Sequence, residues 1–155
     1  MVYLHAHGVL HCDVKSSNVL LTRSFEVKLC DFGLSQLLGS GRELSINVGC
    51  IGTPQWVAPE VLRGGGYSKA ADVYSFGMIL LELVSRQVPF DGYSAPQVIA
   101  MVGYGGFRLK LPSSCPRPLL LLLRKTLRGR PESRCVFQEL TDDFAVLHKS
   151  FVLDV

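Results

Sequence analysis

The stretch from Ala70 to Ser85 constrains the fold more than any other part of this chain. Val73, Phe76, Met78, Ile79, Leu80, Leu81, Leu83 and Val84 cover nearly every face of a helix of that length, and a helix apolar all round has to be buried on all sides. It is therefore central, with Ser68 in position to cap it. Ser94 to Val102 reads as an amphipathic helix after the turn Pro89-Phe90-Asp91-Gly92, and Leu119 to Leu127 as another, ended by Gly129 and Pro131. The last helix is expected from Glu132 to Leu147, with Phe137, Leu140, Phe144 and Leu147 on one face, and Ser150 to Val155 as a frayed tail.

The first third of the chain reads differently. Val9-Leu10 and Asn18 to Leu21 are short apolar runs flanking a polar loop, and Glu26 to Cys30 alternates as a half-buried strand does. From Leu34 to Gln55 the glycines 39, 41, 49 and 52, with Ser40, Ser45 and Thr53, leave no sustained period. A long functional loop is expected there.

At 155 residues the chain suffices for one domain that buries about 70% of its unfolded surface. The formal charge of +3 comes without a block of like charge, which implies neither nucleic acid nor an anionic membrane. Five cysteines at irregular spacing, with no C-x-x-C pair, read as reduced thiols of a cytoplasmic protein, with the nucleus as the other such compartment. The longest apolar runs, Met78 to Leu81 and Leu119 to Leu123, fall far short of the roughly 18 residues of a membrane span. A soluble protein without a secretory signal is expected. Its 48% hydrophobic content is high for a small domain covering its own core, so some apolar surface belongs against something else.

Chemistry concentrates in two short motifs. In His11-Cys12-Asp13-Val14-Lys15-Ser16-Ser17-Asn18 the carboxylate of Asp13 precedes the carboxamide of Asn18 by five positions, and Asp31-Phe32-Gly33 follows the strand pair. A phosphoryl-transfer site uses one carboxylate to orient a hydroxyl, while an amide oxygen and a second carboxylate hold magnesium. Gly52-Thr53-Pro54-Gln55-Trp56-Val57-Ala58-Pro59-Glu60 and Asp72-Val73-Tyr74-Ser75-Phe76-Gly77 complete a set of four motifs. In this order they resemble the C-terminal lobe of a eukaryotic protein kinase of the serine/threonine type, similar to the tyrosine-kinase-like (Raf-like, mixed-lineage-like) group. The resemblance implies a mostly α fold with a small β-hairpin region at the active site and no N-terminal β-rich lobe. Residues 1–148 would form this part of the kinase domain and 149–155 a tail.

The resemblance also assigns roles. Asp13 would accept or orient the proton of a protein serine or threonine hydroxyl, and Lys15 would sit near the transferred phosphoryl group. Asn18 and Asp31 would be the Mg2+ ligands, hard oxygens for a hard cation. Together with Leu20 as the floor under adenine, and with Phe32 and Gly33, they would form this lobe's share of the ATP site. His11 would pack with Phe32. Thr53 would tie the substrate-binding strand to Asp13 and Lys15, with Pro54 and Trp56 in the same substrate-binding stretch. Glu60 and Arg134 are expected as a buried ion pair, and Asp72 as an acceptor of backbone N–H groups from the catalytic loop.

Cys12 stands where the family usually has arginine, the residue that pairs with a phosphate on the activation loop. Ser45 and Ser40 are the candidate phosphosites, and phosphorylation of Ser45 is expected to change activity little. Gly39-Ser40-Gly41 and Gly103-Tyr104-Gly105 are turns, not phosphate-covering loops. No Val-Ala-Ile-Lys strand, partner glutamate or glycine-rich loop precedes Asp13, so a complete ATP site would need an N-lobe in cis or in trans. The other reading is a catalytically inactive kinase-like binding or regulatory module. A chain folded without that lobe is expected to show an apolar patch around Val2, Leu4, Val9, Leu20 and Phe32.

Overall fold

The computed structural model describes residues 1–38 and 52–153. Helix α1 (Val2–Ala6) leads into strand β1 (Val9–Leu10). Strands β2 (Val19–Leu21) and β3 (Val27–Leu29) form an antiparallel hairpin with Val19 opposite Leu29, and β4 (Gln36–Leu37) returns to pair with β1. Helices α2 (Pro59–Leu62), α3 (Lys69–Ser85), α4 (Ala95–Val98), α5 (Arg117–Thr126) and α6 (Phe137–Leu153) follow. The architecture is mostly α with two small antiparallel sheets, as expected. Among the described residues no helix is long and apolar enough to cross a membrane.

Helix α3 is the central one. Ala71, Val73, Tyr74, Met78, Ile79 and Leu81 are buried, and the helix ends at Arg86, whose left-handed backbone (φ 56°) returns its N–H to the Glu82 carbonyl at 2.8 Å. It packs closely on α5 because Gly77 has no side chain. A Cβ there would stand 2.7 Å from the Thr126 Cβ and 2.9 Å from a Leu127 methyl. Leu10 and Leu123 are wholly buried in the main core, each contributing about 1.5–3 kcal/mol of transfer free energy. A second cluster gathers Val73, Leu122, Phe137 and Leu140, with Phe76 edge-on to Phe137.

Four elements differ from expectation. The helix expected over Ser94 to Val102 is one α turn followed by a π-helical segment, Ile99–Tyr104, that packs against α2. The helix expected from Leu119 starts at Arg117, because Pro118 lies in the first turn, where its missing N–H costs nothing. The helix expected from Glu132 starts at Phe137 and runs to Leu153. A 3-10 turn at Pro131–Ser133 and an extended Arg134 (ψ 149°) interrupt it, and Arg134 is held there by its contacts with Glu60. Strand β4 falls inside the expected loop. The candidate phosphosites Ser40 and Ser45 lie outside the described residues.

Candidate active site

The site is built outward from Asp72 in the first turn of α3. This carboxylate is wholly buried and receives four donors: the backbone N–H groups of His11 (3.0 Å) and Cys12 (3.1 Å), the His5 Nε2 (2.8 Å) and the Tyr67 hydroxyl (2.7 Å). A buried charge with its lone pairs filled in this way is tolerable, and it dictates the path of the chain it binds. Cys12 accordingly adopts a left-handed backbone, φ 66°, a conformation disfavoured for a residue with a Cβ.

His11 is wholly buried. Its Nδ1 accepts the N–H of Asp13 at 3.3 Å, and its Nε2 lies 3.1 Å from the Cys30 carbonyl. A backbone donor on one nitrogen and a carbonyl on the other select the neutral ring with its proton on Nε2. Its other neighbour is Phe32, with ring centroids 5.0 Å apart.

Around Asp13 the polar groups converge. Lys15 Nζ is 2.7 Å from Asp13 Oδ2 and donates to the Thr53 hydroxyl at 2.8 Å. The Thr53 N–H and hydroxyl reach Asp13 Oδ1 at 3.2 and 3.4 Å, and Asn18 Nδ2 donates to Asp13 Oδ2 at 3.1 Å and to its carbonyl at 2.9 Å. Burial alone would push the Asp13 carboxyl up. The hydrogen bonds from Lys15, Thr53 and Asn18, with the Lys15 charge, outweigh it and hold Asp13 below its ordinary value. Thr53 comes this close because residue 52 is glycine, where a Cβ would meet Asp13 Oδ1 at 2.5 Å and the Cys12 carbonyl at 3.0 Å.

Asp31 enters from the end of the hairpin. The Cys30 N–H donates to the Asn18 carbonyl at 3.0 Å, so Cys30 lies opposite Asn18 and Asp31 is the next residue along the chain. It is exposed, has a left-handed backbone (φ 61°), and accepts the Gly33 N–H on Oδ1 at 3.3 Å. The donor set suits Mg2+. Asn18 spends its amide hydrogens on Asp13, which leaves its oxygen as the group to offer, and Asp31 has a second carboxylate oxygen.

Leu20 and Phe32 are about half exposed, at 52% and 47%, and Tyr3, Leu21, Phe25, Val27 and Leu37 are exposed as well. Val2, Leu4 and Val9 are only partly accessible, so the apolar surface lies more on the hairpin than on α1. Pro54 is partly buried and its carbonyl accepts the Val57 N–H at 3.2 Å. Trp56 is nearly buried and points inward, its indole N–H on Glu82. Arg134 grips Glu60 through two N–H···O contacts of 2.6 and 2.8 Å, with its guanidinium 4.9 Å from the Tyr74 ring centre.

The expectations gave no site role to His5, Tyr67, Gly52 or Glu82. Glu82 had a visible signal, a carboxylate in an otherwise apolar stretch of helix. The others are recognisable only from their contacts. Burial, then the Asp72 charge, pushes the Cys12 thiol up to about 12. Cys12, Cys30, Cys115 and Cys135 are free thiols.

The protein kinase domain model matches residues 1–144. A probable LIM domain-containing serine/threonine-protein kinase of Dictyostelium discoideum is 33% identical over 153 residues, 99% of this chain and 15% of that protein. Mitogen-activated protein kinase kinase kinase 13 of Homo sapiens is 37% identical over 139 residues, 90% of this chain and 14% of that protein. Mitogen-activated protein kinase kinase kinase 12 of Rattus norvegicus is 37% identical over 140 residues, 90% of this chain and 15% of that protein. The chain thus spans about one-seventh of the length of these relatives.

Proposed function

The chain belongs to the protein kinase family, and on that premise we propose that residues 1–148 supply the base-and-metal side of ATP-dependent phosphoryl transfer to protein serine and threonine hydroxyls. What carries the reading is the convergence of Lys15, Thr53 and Asn18 on the carboxylate of Asp13, at 2.7 to 3.4 Å. Held below its ordinary value, that carboxylate is ionised at neutral pH and able to orient a hydroxyl and take its proton.

Lys15 Nζ bridges Asp13 and Thr53, a position from which its charge favours a transferring phosphoryl group. Asn18, through its amide oxygen, and Asp31 would hold Mg2+. When bound, that cation supplies neutralisation of phosphate charge. Leu20 and Phe32 would present apolar surface to the nucleotide side. Pro54 and Trp56 would shape the substrate segment, Trp56 from beneath. The cysteine pattern supports a reducing compartment, the cytoplasm or the nucleus.

The exposed hairpin carrying Leu20, Leu21, Phe25 and Val27 favours a second reading. In it, the chain is a kinase-like module whose apolar surface is covered by a partner lobe, in cis or in trans, and which has no turnover of its own. Titration with ATP in the presence and absence of Mg2+, together with transfer of labelled phosphate to casein, separates the two. The catalytic reading expects Mg2+-dependent ATP binding, and phosphate transfer that Asp13→Asn abolishes with the fold intact. A chain that binds no nucleotide and transfers no phosphate is the module.

A further inference from the structure

Between α3, α5 and the segment 108–111 lies a cavity of about 240 Å³ that shares no lining residue with the site around Asp13. Met78, Leu81, Leu123 and Leu127 form its apolar wall, and Tyr74, Arg108 and Arg124 supply its polar groups. A cavity of about 150 Å³ holds benzene, so this one has room for an aromatic ring with a polar substituent.

Tyr74 is only 3% exposed, yet its hydroxyl has no hydrogen-bond partner among the described residues. Its ring is already occupied by Arg134, 4.9 Å from the ring centre. The oxygen is not sealed in. Among the described residues the Gln55 carboxamide oxygen is the only side-chain atom both fully enclosed and unpaired, so the Tyr74 oxygen borders open space, and the open space Tyr74 lines is the cavity. Burial pushes this phenol up, and of the charges around it that of Arg108 acts most strongly in the other direction. It is a neutral donor at pH 7.

Arg108 is fixed at the same cavity by its Nη1, which donates to the carbonyls of Val102 at 2.9 Å and Phe107 at 2.6 Å. Neither it nor Arg124, on the exposed face of α5, has a carboxylate partner among the described residues. Glu60, the carboxylate that acts on Tyr74, is already paired with Arg134. An apolar wall, a spare O–H donor and two guanidiniums without counter-charges define one kind of guest. We propose that this cavity binds a small amphipathic monoanion, an aromatic or short-chain carboxylate, which accepts from the Tyr74 hydroxyl and meets Arg108 while its apolar body lies against Met78, Leu81, Leu123 and Leu127. The site stands apart from the phosphoryl-transfer reading, since no residue assigned there lines it.

The probe is 4-fluorobenzoate, followed by its fluorine NMR line broadening on the 155-residue chain at pH 7, with circular dichroism to confirm that each variant is folded. The neutral 4-fluorobenzamide has the same outline without the charge. The parent is expected to broaden the benzoate line saturably and to bind the benzamide about tenfold more weakly, the scale of one hydrogen bond to a charged group. Tyr74→Phe keeps the ring under Arg134 and removes one oxygen, and should weaken benzoate binding about fivefold; Arg108→Met should weaken it about tenfold. Arg23→Met removes the same charge from the exposed turn of the hairpin and should leave binding unaltered. Arg108 lies outside the helices, so its variant decides the question should Tyr74→Phe fail to fold.

No saturable broadening by the parent means that the cavity holds water alone, and overturns the proposal. Equal binding of benzoate and benzamide also overturns it, as does an unchanged affinity in Tyr74→Phe. A loss in Arg23→Met as large as in Arg108→Met would mark anions drawn anywhere on a basic chain, and overturns it as well.

Discussion

The guanidinium of Arg134 and the carboxylate of Glu60 meet in a two-pronged contact, 2.6 and 2.8 Å, across seventy-four positions of chain. Arg134 Nη1 also donates to the Ala70 carbonyl at 2.9 Å, and Nε to the Arg128 carbonyl at 2.8 Å. One side chain thus pins α2, the start of α3 and the segment after α5 together.

Removing Arg134 leaves the Glu60 carboxylate, only 12% exposed, without its partner. Arg134→Leu is expected to cost about 3–5 kcal/mol in urea denaturation, and the double change Arg134→Leu, Glu60→Leu less than the sum of the single changes. Additive losses would mean that the two side chains stabilise the fold independently.

Lys15 is among the groups that hold Asp13 below its ordinary value, against the upward push of burial. With a depressed folded value, the stabilisation from Asp13 is complete above the unfolded value of about 4 and is lost as pH falls through the folded value. Lys15→Met removes a hydrogen bond and a positive charge but leaves the burial, so the Asp13 titration should move to higher pH. Carboxyl carbon NMR titration of Asp13 in both proteins measures this, and an unmoved midpoint would assign the shift to Thr53 and Asn18 alone.

Gly77 lets α3 approach α5 more closely than any residue with a Cβ would allow. Gly77→Ala should destabilise by about 1–3 kcal/mol through overpacking, despite the better helix propensity of alanine. A rise in the thermal midpoint would show that Thr126 and Leu127 can move aside.

The Cys12 thiol, pushed up to about 12 by burial and then by Asp72, carries almost no thiolate at pH 8. Iodoacetamide should leave Cys12 unmodified in the folded chain and label it fully in urea, as read by peptide mass spectrometry. Prompt labelling of the native protein would contradict a buried thiol.

Much of this arrangement was legible before any coordinates. The spacing of Asp13, Asn18 and Asp31 sets out two carboxylates and a carboxamide around a short hairpin, and a strand forms within Glu26 to Cys30 as β3, though without the half-buried alternation expected of it, since Val27 and Lys28 are both exposed. Other elements were not legible. Two-residue strands such as β4 are too short for a periodic signal, and β4 exists because β1 lies beside it. The helix expected from Glu132 breaks at Arg134, a residue with ordinary helix propensity, because its guanidinium is claimed by Glu60. Trp56, expected to face a substrate, turns inward to a carboxylate twenty-six positions away.

From the amino-acid order alone came the central apolar helix and the residue types able to carry phosphoryl chemistry, which depend on local period and spacing, and, through the motifs, the family resemblance with the mostly α class it implies. Only the tertiary structure decided which donors fill Asp72, how closely Gly52 brings Thr53 to Asp13, and which carboxylate meets the Trp56 indole. Those depend on distances between residues far apart in the chain, which are settled when the core closes and each buried polar group must find a partner.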